Sequence, residues 1–202
     1  VAPVYKFSNV GGFTSKTFYT SILAGNPKFE GDNGSMFPLG EFTLASAQAN
    51  IDFTNIPQNY THLQLRIMCK STYASASTSF AYPVRFNNNS DTAYTSHRLR
   101  GDGSTASSSG SAAGAQASFG DYPTATTSNI FYAGIIDILD YTNTNKNKTV
   151  RILEGYDANG SGQVNLRSFA WLNTTAINRI TITDGYANFA TNSHFALYGV
   201  LA

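Results

Sequence analysis

The chain is expected to be all-β: an antiparallel, jelly-roll-like β-sandwich with an extended N-terminal arm. Three observations predict this. Apolar residues recur at every second position in several segments, the period of a half-buried strand, and no segment sustains a helical period. Clusters of Gly, Asn, Asp and Pro punctuate those segments at the spacing of sandwich strands. Aromatic residues make up 13% of the chain and Thr is abundant, a composition that suits pleated sheet.

The strongest strand signal lies between Ile130 and Gly155. Ile136 and Ile138 fall on one face, and Ile135, Asp137 and Leu139 on the other. A polar connection, Tyr141 to Asn147, leads into a second strand from Lys148 to Glu154. There Val150 and Ile152 alternate with Arg151 and Leu153. The first forty residues read differently. They hold seven Phe or Tyr without sustained periodicity, interrupted by Gly11-Gly12, Gly25-Asn26-Pro27 and Gly31 to Ser35. Residues 1–40 are therefore expected to form an arm that attaches the subunit or contacts its neighbours. Tyr5, Phe7, Phe13, Phe18 and Tyr19 are its candidate anchors.

Residues 41–202 are expected to form the sandwich. Short strands are predicted over 41–44 and 50–53, then a clean alternation over 62–70 with Leu63, Leu65, Ile67 and Cys69 inward. Strands follow over 80–86 and 92–100. Residues 101–120, rich in Gly, Ser and Ala, read as a low-complexity loop with a short pairing segment at Gln116 to Phe119. After the 130–155 pair, Asp157 to Gly162 is a tight turn. Strands over 163–172, 177–183 and 194–201 complete nine or ten in all. The last has apolar residues on both faces and is expected to be internal to its sheet.

At 202 residues the chain is long enough for a substantial core. A formal charge of +1 gives no reason to expect a nucleic-acid partner. Charged residues are only 12%, against about 25% in average proteins, so neutral polar groups carry the surface. The single cysteine, Cys69, rules out an internal disulfide and reads as a small core hydrophobe. The longest apolar runs are too short to span a bilayer as a helix. The chain begins at Val1 without a basic-then-apolar leader, so a processed or trimmed product is expected.

Residues that could carry chemistry do not assemble into a reaction. Asp157, Asn159 and Ser161 match the first half of a calcium loop, but Ser168 stands where its bidentate Glu belongs. His62, His97 and His194 have no zinc spacing. Asp137 and Asp140 fall on opposite faces of one strand. Asp137 with Glu154, across the hairpin, is the one carboxylate pair to weigh for glycoside hydrolysis. No catalytic residue, cofactor site or metal site is predicted, and the chain is not expected to be an enzyme.

Several strings in order resemble a known group: Asn55-Ile56-Pro57-Gln58-Asn59-Tyr60-Thr61-His62, Val84-Arg85-Phe86-Asn87-Asn88, Leu99-Arg100-Gly101-Asp102-Gly103-Ser104, Ile136-Asp137-Ile138-Leu139-Asp140-Tyr141 and Phe195-Ala196-Leu197-Tyr198-Gly199. Over residues 41–202 the chain looks like structural proteins of tailed bacteriophages, frequent in phages of aquatic bacteria. The resemblance implies a virion component without catalysis. By analogy it implies a homotrimer that contacts the major capsid protein or another virion protein. A capsid decoration (cement) or head-fibre protein on the particle surface is the first expectation. A tail-fibre tip that binds host surface carbohydrate is the second. For that reading Tyr73, Tyr122, Tyr141 and Tyr156 are the candidate contacts, aromatic faces that could stack on sugar rings beside Asn and Asp.

Overall fold

A computed structural model describes residues 35–74, 81–120 and 129–201. These form twelve strands: β1 (Met36–Thr43), β2 (Asn50–Phe53), β3 (His62–Cys69), β4 (Tyr82–Phe86), β5 (Tyr94–Gly101), β6 (Ala106–Gly114), β7 (Ala117–Phe119), β8 (Tyr132–Leu139), β9 (Lys148–Asp157), β10 (Gly162–Trp171), β11 (Ile180–Thr183) and β12 (His194–Val200). Every pairing is antiparallel. One sheet runs β1-β12-β3-β8-β9-β10-β5-β6 and the other β2-β11-β4-β7.

The order explains the unequal sheets. Take β1, β2, β3, β4, β7, β8, β11 and β12 as the first to eighth strands of a core. The sheets then read 1-8-3-6 and 2-7-4-5, which is jelly-roll wiring. The other four strands are two inserted hairpins, β5–β6 and β9–β10. Both extend the larger sheet beyond β8.

The inward positions are those the alternation singled out. Leu63, Leu65, Ile67 and Cys69 are buried, as are Ile136, Ile138, Val150 and Ile152. Burial pushes the Cys69 thiol well above its usual range. One aromatic group joins Phe86, Tyr94, Phe169 and Trp171, with Tyr94 and Trp171 stacked at 6.3 Å. A second joins Tyr82, Phe119, Tyr132, Phe189 and Phe195. At Gly199 the ring of Tyr60 lies directly on the backbone. A Cβ there would meet ring carbons at 2.5–2.7 Å, so only glycine fits.

Two expectations are corrected. Residues 106–114, expected to lie in a loop, form β6 alongside β5. Every β6 residue before Gly114 is exposed, so neither face imposes the alternation that betrays a strand in sequence. Residues 36–40, assigned to the arm, begin β1 and pair with β12. Pro38 and Gly40 masked this segment, and the register shifts between them. The closing strand β12 lies between β1 and β3, as its two apolar faces required. The turn at Asp157 to Gly162 is also as read, with Asn159 and Gly160 both at positive φ.

Candidate functional site

The outward positions of the extended sheet carry the feature the sequence reading missed. Ile135 pairs with Leu153, Leu153 with Leu166, and Leu166 with Leu99. Four large aliphatic side chains therefore stand in one row across β8, β9, β10 and β5. They are 43%, 57%, 57% and 56% exposed, respectively. The adjacent row is Ala133, Gly155, Val164 and Gly101, and Met68, exposed on β3, sits beside Ala133. On the other side the row turns polar: Gln64, Asp137, Arg151, Ser168 and His97. The band is uncharged across β8, β9, β10 and β5, and Arg66 on β3 stands beside Ile135 at its end.

The aliphatic row is a ridge between two open grooves of about 670 Å³ each. The first has Ala133, Gly155 and Val164 among its lining residues, with Ile135 and Leu153 at the ridge and Tyr156, Asp157 and Asp102 toward the hairpin ends. The second is bordered by Leu99, Leu166, Arg151 and His97. Asp102 is already used by its own turn. It accepts hydrogen bonds from the Thr105 and Ser104 amides, which hold its carboxyl below the usual range.

The structure separates the tyrosines proposed for sugar contact. Tyr156 is half-buried and borders the first groove. Tyr73 is half-buried and packs on the exposed Tyr186 at 5.7 Å. Tyr141 is corrected: its side chain is fully buried and its hydroxyl donates to the Pro57 carbonyl, so it cannot meet a sugar. Its ring belongs to the buried core. Tyr122 lies outside the described residues, as do Tyr5, Phe7, Phe13, Phe18 and Tyr19. Tyr186, missed in sequence, follows the Asp184-Gly185 turn.

The remaining polar candidates have structural duties. His62 Nδ1 accepts from the Asp140 amide at 2.9 Å, and His194 Nδ1 hydrogen-bonds Thr43. His97 is exposed on β5. Among the described residues no group of three or more His, Cys, Asp or Glu is placed to hold a metal. Among them no helix is long and apolar enough to cross a membrane. Asp137 faces outward toward Gln64, whereas Glu154 points into the sandwich. The two carboxylates cannot flank one bond.

Glu154 instead anchors a buried polar cluster. Its carboxylate accepts from the Tyr132 hydroxyl at 2.5 Å, the Gly120 amide at 2.9 Å and Arg167 Nε at 3.1 Å. Burial, then the neighbouring carboxylate, raises the Tyr132 pKa well above its ordinary value. Asn165 lies beside Glu154 on β10, fully buried. The cluster ties β8, β9 and β10 to the end of β7.

No family model, curated protein or solved structure matches the chain.

Proposed function

We propose that the chain is a non-enzymatic structural subunit of a bacteriophage particle: a capsid decoration (cement) or head-fibre protein attached through its N-terminal segment. The observation that carries this reading is the row Ile135, Leu153, Leu166 and Leu99 with the uncharged row beside it. An assembly protein needs such a surface, and burying it on a neighbour returns roughly 25 cal/mol per Å² of apolar area. The ordered strings of the 41–202 region and the jelly-roll wiring agree with it. The partners would be further copies of the chain and the major capsid protein or another virion protein. Reconstruction of the intact particle by cryo-electron microscopy tests the assignment directly. Density over the capsid lattice supports it, and density confined to the tail tip removes it.

A double variant tests the surface. Leu153→Glu with Leu166→Glu should reduce attachment to particles about ten-fold or more, because a charge must be desolvated at each site. Its far-UV circular dichroism should match the parent, since both side chains already face water. Undiminished attachment would show that this face makes no contact.

The groove bordered by Tyr156 favours a second reading, a tail-fibre tip holding host surface carbohydrate. On that reading Tyr156→Ala should abolish adsorption to host cells while the domain stays folded. Unchanged adsorption would count against it.

A further inference from the structure

Among the described residues, strand β6 is an unguarded sheet edge, and we infer that two copies of this chain pair there, β6 against β6, about a twofold axis. The argument comes from comparing the sheet edges. The two sheets end in β1, β6, β2 and β7. β2 has four residues and β7 three, too short to template a long ladder. β1 has eight residues, but Pro38 lacks an N–H and the register shifts between Pro38 and Gly40, so its ladder is broken in the manner that protects edges. β6 has nine residues, Ala106 to Gly114, with no proline and no charge. It has a strand neighbour only on the β5 side among the described residues.

The occupant follows from chemistry and symmetry. Side chains of Ser, Ala and Gly on both faces leave nothing bulky between approaching backbones. An edge without charges meets an identical edge without repulsion. Main-chain hydrogen bonds would supply the attraction, as in strand addition generally. A head-to-tail contact requires a second receptive edge, and the other three are blunted. The like-with-like contact is isologous, which sets a twofold axis and antiparallel strands. Ala113 sits at positive φ and interrupts the strand near its end, so the regular run from Ala106 to Ser111 is the pairing segment. The apolar row runs up to this edge, since Leu99 lies opposite Ser108. This inference rests on the sheet edges alone and does not depend on a place in a virion.

Sedimentation velocity on the full chain, from micromolar to near-millimolar concentration, tests it. A dimer is expected. Ala106→Lys with Ser108→Lys places charges on the outer face opposite Gly101 and Leu99, away from the arginines of β5's other face. Like charges across the new ladder should weaken the dimer about ten-fold or more, with circular dichroism and thermal midpoint unchanged. Mixing this variant with Ala106→Glu/Ser108→Glu should restore dimers. A parent chain that stays monomeric, a trimer, a dimer indifferent to the lysines, or a mixture that fails to re-form dimers each overturns the inference.

Discussion

Glu154→Ala is expected to destabilise the fold by about 3–5 kcal/mol, the cost of breaking a buried ion pair by removing one partner. The Arg167 guanidinium would remain among buried groups with no carboxylate, and the Tyr132 hydroxyl and Gly120 amide would lose their acceptor. The loss should appear as a lower midpoint in urea unfolding followed by circular dichroism. The triple variant Glu154→Leu/Arg167→Met/Tyr132→Phe removes charges and hydroxyl together, and most of the stability should return. If the single and triple variants are equally unstable, the cluster is not an ion-pair device, and its role is the space its side chains fill.

Alkaline unfolding should be equally large. Tyr60, Tyr94, Tyr132 and Tyr141 all have raised pKa values, with burial the leading cause in each. In the unfolded chain a tyrosine ionises near pH 10. The sign is therefore fixed. Stability from these groups is fully present below about pH 10 and is lost as pH rises toward the higher folded values. Each tyrosine that the fold still holds protonated withdraws roughly 1.4 kcal/mol per pH unit above that point. All four act in the same direction, with Tyr132 raised furthest, so their losses add. The buried Cys69 thiol, which in the unfolded chain ionises at about pH 8.5, starts a gentle decline, so thermal midpoints should hold to about pH 8.5, slip slowly to about pH 10 and fall steeply beyond. Tyr141→Phe, whose ring can keep its packing, should make the fall shallower. A flat profile to about pH 11 would show that the buried hydroxyls do not govern the response.

Much of the fold was legible because most strands bury one face. Alternation at Leu63, Leu65 and Ile67, or at Ile136 and Ile138, states both the strand and its inward side. β6 was illegible for the opposite reason: both its faces meet water, so no period is imposed. The candidate surface was half legible. Ile135 and Leu153 were placed on the faces opposite Ile136 and Ile152, but a run apolar on both sides looks the same whether its second face meets another layer or solvent. Only the register showed that Leu153 stands between Ile135 and Leu166 and that all three remain exposed. Tyr141 failed for a local reason. Its polar neighbours suggested a solvated loop, yet one carbonyl, Pro57, lay within reach to satisfy its hydroxyl.

The position of β12 has a consequence for how the chain reaches its structure. It is the last described strand in sequence, yet it lies between β1 and β3 and supplies the neighbour each needs. Until residues 194–200 leave the ribosome, the larger sheet has a gap one strand wide, flanked by two open ladders. Completing the sheet must therefore wait until residues 194–200 have been made, and that step closes contacts of very long sequence separation, a slow class of folding event. The nascent chain exposes unpaired strands during that wait, which makes synthesis, rather than the finished fold, the stage most vulnerable to aggregation.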